Sequence, residues 1–430
     1  MGIVGFSILF LALVFLGMPI GFVMLTSAAA YFLATGNPIF LRMLPEKLMN
    51  GVDVFVLMAI PFFLLTGEIM NRAKLTDRLF VFCNMLIGRI RGGLAQVNVL
   101  ASIMFSGVTG VALGDIAALG KMFIPSMTRQ GYDVGFTAAV TAASSIIGAI
   151  IPPSTMIILY CATMNVSVGA MFLAAIFPGL LLGVVQMGTV QFLSWKRQYP
   201  KVDVEVSPKK LVIGFRDAFF AIFLPVIIIR GILLGWFTPT EAAALTVVYS
   251  LLIGTVFLKT LSLRDIPSVL GTSCMDTARL FFIIAGASSV SWVFAMEHVP
   301  EMVTQLFAGF AGQQLVVVLI LMLFFLFLGL FLDPGISIIL IAPVVMPMAT
   351  QAGIHPVQLG IFIIINCVIG TITPPVGNVL FAVANIAKMN FLKLGVSLLP
   401  FIVGGMIVLI LIGMWGDLTL YLPRSAGLIN

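Results

Sequence analysis

A glycine followed a few residues later by a proline pair interrupts an apolar helix twice in this chain, and that duplication limits the fold more than any other feature. The first copy reads IIGAIIPPS from Ile146 to Ser154 and the second VIGTITPPV from Val368 to Val376. The offset is 375 − 153 = 222, and in the same register Pro125 meets Pro347, Gly131 meets Gly353 and Gly148 meets Gly370. With 22 prolines among 430 residues, three proline coincidences in one register mark an internal repeat. Each copy follows two short apolar segments separated by a Gly- and Ser- or Asp-bearing break, so the repeated unit covers Ser106 to Pro153 and Gly329 to Pro375.

The solvent follows from composition. Hydrophobic residues make up 61% and charged residues 9% of the chain, whereas about a quarter of a soluble protein is charged. Stretches near 20 apolar residues span a bilayer, and on the order of ten are present, so the fold class is an all-α polytopic membrane protein. In lipid, unwound backbone survives only where protein buries it or a polar cavity receives it. Matching interruptions in two halves therefore point to a transporter's central site. The net charge of +6 is spread over loops and reads as topology, with no nucleic-acid partner. Cys83, Cys161, Cys274 and Cys367 lie scattered in apolar segments without CxxC spacing, which suits core packing and neither a disulfide framework nor a zinc site. The first apolar stretch, Ile3 to Thr35, reads as a retained helix that Gly17 and Pro19 kink or split.

Read in order, the chain gives a loop with Arg42, Pro45 and Lys47, a helix over Val52 to Met70, and an interfacial amphipathic run from Asn71 to Arg91. The first re-entrant hairpin is expected to have arms Leu94 to Phe105 and Ile116 to Met127, roughly 12 residues each and short for a lipid-exposed crossing. The first broken helix is interrupted from Gly148 to Ser154. A span over Val168 to Leu193 and a basic linker, Lys196 to Arg216, then divide the halves. Further spans are expected at Ala218 to Leu234, Ala242 to Leu258 and, after a polar patch, Leu280 to Met296. The second hairpin covers Leu315 to Thr350, the second broken helix is interrupted from Gly370 to Gly377, and the last span is Leu392 to Met414. The corresponding domain division is 1–91, 92–165, 166–216, 217–312, 313–390 and 391–430.

No catalytic constellation competes with this reading. His298 and His355 are the only histidines, HExxH, GxSxG and the Walker pattern are absent, and only Ser106 with Lys121 offers a nucleophile beside an amine. Oxygen ligands are the stronger signal. A hard cation such as sodium needs several oxygens, and an interrupted helix supplies carbonyls that proline leaves without their helical partner. The expected first site joins Ser106 at the hairpin tip to Gly148, Ile151 and Pro153; the second joins Gly329 to Gly370, Thr373 and Pro375. Asp333 is either part of a solute or ion path or the cap of the helix after it. Asn98, Ser154, Thr155, Ser337, Asn366, Thr371 and Asn378 are the other polar positions near the breaks and are candidate solute contacts.

Four stretches resemble the large membrane subunit of tripartite ATP-independent periplasmic (TRAP) transporters: AIPFFLLTGEIMNR at Ala59 to Arg72, GWFTPTEAAA at Gly235 to Ala244, LDPGISIILIAPVVMP at Leu332 to Pro347, and IGTITPPVGNVLF at Ile369 to Phe381. The resemblance covers essentially the whole chain. It implies an inverted-repeat, elevator-type importer in a bacterial inner membrane, driven by at least two sodium ions. It also implies a separate four-helix small membrane subunit, a periplasmic substrate-binding protein and a carboxylated solute. The wording TPPVGNVLF is similar to the sialic-acid branch, with C4-dicarboxylates or a symporter independent of any binding protein as the alternatives.

Overall fold

The computed structural model describes residues 2–429 except 37, 110–111, 202–207 and 311, and the backbone alone at 38, 106–109, 117 and 208–210. The described residues form helices and turns with no strand. Gly17 takes a positive φ of 79° and Pro19 offers no N–H, so the first apolar stretch splits into α1 (Ile3–Phe15) and α2 (Ile20–Ala34).

The loop expected around Pro45 is instead a helix, α3 (Pro38–Val52), with the proline inside it. Tertiary packing outweighs the one missing hydrogen bond. Phe32 and Phe40 sit 4.4 and 5.7 Å from the ring of Trp292, and the Lys47 ammonium lies 5.6 Å over the same ring. A 3-10 turn at Phe55–Met58 leads into α4 (Ala59–Arg72), so the single helix expected from Val52 is entered later. Then comes α5 (Leu75–Ile87), whose buried face is Leu75, Leu79, Phe82 and Cys83.

The hairpin arms are longer than expected. In the first hairpin α6 (Gly93–Thr109) continues through Ser106, where a break was read. Ser and Gly cost a helix at most about 1 kcal/mol each, less than unpaired backbone costs away from water. The return arm is α7 (Ala112–Asp115), a π-helical turn over Ile116–Gly120, and α8 (Lys121–Arg129). Next, α9 (Val134–Gly148) is capped by Asp133, which accepts the Phe136 N–H at 2.9 Å, and every residue from Gly135 to Gly148 is buried. After the first interruption come α10 (Thr155–Met164) and α11 (Val168–Lys196).

The second half follows the same order. It comprises α12 (Pro208–Leu233), which begins inside the stretch expected as linker, α13 (Pro239–Leu252), and α14 (Ile266–Met296), whose 31 residues absorb the expected polar patch. After α15 (Val299–Leu306), the second hairpin is α16 (Gln314–Phe331) and α17 (Pro334–Gln351), arms of 18 residues each. Then follow α18 (Pro356–Ile372), α19 (Asn378–Ala387), α20 (Phe391–Met414) and a short terminal helix, α21 (Asp417–Ser425), for which the sequence carried no expectation. Among the described residues, eight helices are long and apolar enough to cross a membrane. Cys83, Cys161 and Cys367 are buried as core residues, but Cys274 is exposed.

At the offset of 222, α2 corresponds to α13, α4 to the second part of α14, α6 to α16, and α11 to α20. The packing exchanges these partners: α2 lies on α14 while α13 lies on α4, where the buried hydroxyls of Thr66 and Thr246 meet at 2.8 Å. Likewise α9 packs on α20 and α18 on α11. Each half completes the other, as a pseudo-twofold relation requires. The helix α5 rests on both α6 and α12.

Candidate functional site

The second interruption is built by close backbone approach. The helix α18 ends at Ile372, and Thr373 turns back, its N–H donating to Gly370 O at 3.0 Å and its hydroxyl to Ile369 O at 2.8 Å. The chain re-enters helix only at Asn378, so Gly370 and Thr371 belong to the helix and the opening spans Thr373 to Gly377. A Cβ on Gly370 would stand 2.6 Å from Gly329 Cα and 2.9 Å from Leu326 O. The two glycines therefore meet backbone to backbone. One turn away, Asn366 holds the same helices together by donating its amide to Leu321 O and Met322 O at 3.2 and 3.0 Å.

The first interruption uses the same plan with different side chains. The helix α9 ends at Gly148, Ala149 and Ile150 close tight turns onto Ile146 O and Ile147 O, and Ser154 caps α10 by accepting the Ile157 N–H. Gly148 lies directly against the carboxylate of Asp115, which is 1% exposed and immediately precedes the π-helical turn. Here the clamp is reversed: Asn98 on the hairpin arm donates to Thr141 Oγ1 at 2.8 Å and accepts from Ser144 at 3.3 Å. Ser144 occupies the position that Asn366 takes in the other half, since 366 − 222 = 144. Both prolyl pairs, Pro152–Pro153 and Pro374–Pro375, are cis.

Both hairpins and both interruptions converge on one small chamber of about 30 Å³, lined by Ala112 and Leu113, by Ala149 and Met156, by Asp333 and Pro334, and by Thr371 and Asn378. Asp333 caps α17, accepting the Gly335 N–H at 2.9 Å. Its two possible roles can be separated by one pair of variants. Asn caps a helix as well as Asp, and Ala loses about 1 kcal/mol. Asp333→Asn is therefore expected to melt at the wild-type temperature and Asp333→Ala below it. If the charge serves the solute path, both lose uptake; wild-type uptake by Asp333→Asn in reconstituted vesicles would leave the residue a cap alone.

Leu113 and the step from Thr155 to Met156 separate this chamber from a larger crevice of about 460 Å³. The crevice lies between α4, α10, α14 and the return arm of the first hairpin, and its polar lining is Glu68, Asn71, Thr155, Thr272, Ser273 and Asp276. Arg72 is held at the rim by Glu68 at 3.4 Å and Ser268 at 3.2 Å, and Arg279 by Asp276 at 3.2 Å.

Of the candidate solute residues, the structure brings Asp333, Thr371 and Asn378 into the chamber and Thr155 into the crevice. It sets Asn98 and Asn366 into helix–helix clamps and turns Ser337 toward Cys367. The Ser106 side chain lies outside the described residues, while Lys121 is exposed. Thr371 donates to Val368 O at 2.7 Å within its own helix. The crevice residues of α14 were missed, although Thr272, Ser273 and Asp276 follow helical spacing that marks one polar face. They read as a polar patch ahead of the span because Ser268, Thr272, Ser273, Asp276, Thr277 and Arg279 crowd one short window, although Leu270 and Met275 lie among them.

Comparison with known proteins agrees with this geometry. The fold matches the solved YdaH transporter of Alcanivorax borkumensis, with a TM-score of 0.64 at 14% identity over 89% of each chain. It also matches the MtrF efflux pump of Neisseria gonorrhoeae, with a TM-score of 0.59 at 14% identity over 87% of this chain and 84% of that one. In sequence the chain is 38% identical to the sialic acid TRAP transporter large permease protein SiaM of Vibrio cholerae, over 96% of both. It is 32% identical to the C4-dicarboxylate TRAP transporter large permease protein DctM of Rhodobacter capsulatus, over 98% of both. Residues 7–418, which include both hairpins and both interrupted helices, match the family of the DctM component of tripartite ATP-independent periplasmic transporters, and the chain belongs to that family.

Proposed function

We propose that the chain is the moving and anchoring membrane subunit of a sodium-coupled importer of a carboxylated solute, with sialic acid as the solute. The observation that carries the reading is the convergence of two hairpins and two interrupted helices on one chamber. A sodium ion fits the donor set of the second interruption. The Thr373 hydroxyl gives its proton to Ile369 O, leaving lone pairs for a cation, and the Gly329–Gly370 approach keeps side chains out of the way. Gly148, Ile151 and Pro153, with Ser106, would form the first set, and Asp115 brings a negative charge to it.

In this reading α6 to α11 and α16 to α21 move as an elevator against a scaffold of α1 to α4 and α12 to α15, with α5 as the arm between them. The crevice is lined by Asn71 at the end of α4 and by Thr272 and Ser273 in the first part of α14, with Arg72, Lys74 and Arg264 close by in the chain. Such basic ends face the cytoplasm, so the conformation is inward-facing, in a bacterial inner membrane. A small membrane subunit covers the scaffold, and a periplasmic binding protein delivers the solute. C4-dicarboxylate import is the second reading, supported by the relatives of that specificity.

Reconstitution tests the reading. Vesicles holding the chain with its small subunit are expected to take up sialic acid only when the binding protein is added outside. Full uptake without the binding protein would replace this reading with that of an independent symporter.

A further inference from the structure

The start of each interrupted helix is pinned in the same way, and the two pins differ in chemistry. At the offset of 222 the cap of α9 meets the cap of α18, since 355 − 222 = 133. Asp133 accepts the Phe136 N–H at 2.9 Å, and His355 accepts the Val357 N–H on Nδ1 at 3.2 Å. In each half the chain leaving α11 or α20 folds back over that cap. After α11, Arg197 reaches Asp133 at 3.5 Å and Tyr199 packs between Tyr132 and Phe136, 4.8 Å from each ring. After α20 comes α21, with Tyr421 in the register of Tyr199 and the Arg424 charge acting on His355. We propose that the contact of α21 with the start of α18 is a pH-sensitive latch, closed while His355 is neutral and released when it is protonated, whereas its counterpart at Asp133 stays closed.

The geometry sets the sign. A neutral imidazole has one nitrogen that accepts a hydrogen bond and an imidazolium has none. Protonating His355 therefore removes its bond to Val357 and adds a second positive charge near Arg424. Asp133 is the opposite case, a carboxylate facing a guanidinium. Burial and the Arg424 charge both hold the His355 pKa below its ordinary value of 6.5. A histidine depressed in this way contributes stability above about pH 6.5 and loses it as the pH falls through the lowered value.

The surrounding charges do not cancel this effect. The helices packed against α18 carry Lys196, Lys393, Asp417 and Arg424 as their charged side chains. The two lysines lie at the far ends of α11 and α20, and Asp417 is engaged by Arg424 at 3.0 Å. Asp333 caps the far end of α17. Tyr160 donates its hydroxyl to Pro356 O at 2.7 Å. On the helices behind α17, His298 faces Glu301 at 3.9 Å and Arg279 faces Asp276 at 3.2 Å.

The two pins face opposite sides of the membrane. A Cβ on Gly135 would stand 2.9 Å from Ser397 Oγ, near the start of α20, whereas Gln358 donates to Ile412 O and Gly413 O at its end. The 24 residues of α20 extend about 36 Å, longer than a hydrocarbon core of roughly 30 Å. Lys196, Arg197 and the basic linker mark the Asp133 side as cytoplasmic, so His355 faces the periplasm. The periplasmic pin is also the looser one, with Tyr421 60% exposed against 6% for Tyr199.

The latch adds a regulation to the importer reading, and its structural half is tested without transport. Hydrogen exchange of the α21 amides is followed in the complete complex in lipid nanodiscs from pH 7.5 down to about pH 5, below the ordinary histidine range, with each rate corrected for the intrinsic chemical rate. Wild type is expected to exchange about fivefold faster in acid, the factor that loss of one helix cap gives. His355→Asn, which caps without titrating, is expected to show no acceleration. Arg424→Gln is expected to move the change to higher pH, because the guanidinium no longer opposes protonation. In proteoliposomes held neutral inside, acidifying the outside to the midpoint of that change is expected to lower sialic acid uptake by wild type about twofold relative to His355→Asn, since half the latches are then released. Effects of acid on the binding protein cancel in that ratio. Exchange that ignores pH in wild type, or that accelerates equally in His355→Asn, overturns the latch. An uptake ratio that stays at one overturns its regulatory role. Absence of uptake in every condition would count against the importer reading and leave the exchange result standing.

Discussion

Replacing Gly370 by valine is expected to abolish uptake and to lower the melting temperature of the purified protein, whereas Gly188→Ala leaves both unchanged or raises the latter. The contrast comes from what each new side chain meets. At Gly370 a first carbon already falls 2.6 Å from Gly329 Cα and 2.8 Å from Gly329 C, so backbone meets backbone and no rotamer change relieves it. The helices α16 and α18 must separate. Overpacking of this kind costs about 1–3 kcal/mol, and separation also stretches the Asn366 clamp to Leu321 and Met322. Within the proposed reading, about 3 kcal/mol corresponds to roughly 100-fold in the affinity of a cation held beside those helices. At Gly188, in α11, nothing lies within 4 Å, and alanine favours helix over glycine. Uptake by Gly370→Val at the wild-type rate would show that the close approach of these helices is dispensable.

The repeat was legible because proline and glycine act through the backbone. Gly329 and Gly370 stand apart in sequence, yet reading the second hairpin against the second interruption set them facing each other, and the structure brings their backbones together. Asp333 carried two readings, and the cap is visible in its bond to Gly335 N. Side-chain roles were less legible. Asn98 and Asn366 look like solute ligands in sequence because they are polar and near the breaks. In the fold each bridges two helices, and the asparagine changes helix between the halves. The helix α3 was hidden because Pro45 and its charged neighbours dominate a short window, while the packing partner that stabilises it, Trp292, is far along the chain. The crevice was invisible for the same reason. It exists only where Glu68 and Asn71 of one half face Ser273 and Asp276 of the other.

The chain is a permease and not an enzyme, so the chemistry to be explained is coupling. Within the proposed reading, cation binding orders the openings at Ile151 to Pro153 and Thr373 to Pro375, and an ordered opening receives the carboxylate. Binding energy from the sodium gradient then drives solute accumulation. The second largest effect expected is therefore loss of all uptake when inward sodium is withheld. Thr373→Ala, which removes one hydroxyl from the second set, is expected to shift the sodium concentration for half-maximal uptake upward while expression stays near normal. An unchanged sodium dependence would strike Thr373 from the ligands.

The most direct measurement is the initial rate of sialic acid uptake by the complete complex in sealed vesicles, first with an inward sodium gradient and then with a proton gradient of equal size in sodium-free medium. The coupling account predicts uptake in the first condition and only the empty-vesicle background in the second. Equal rates in the two conditions would contradict it.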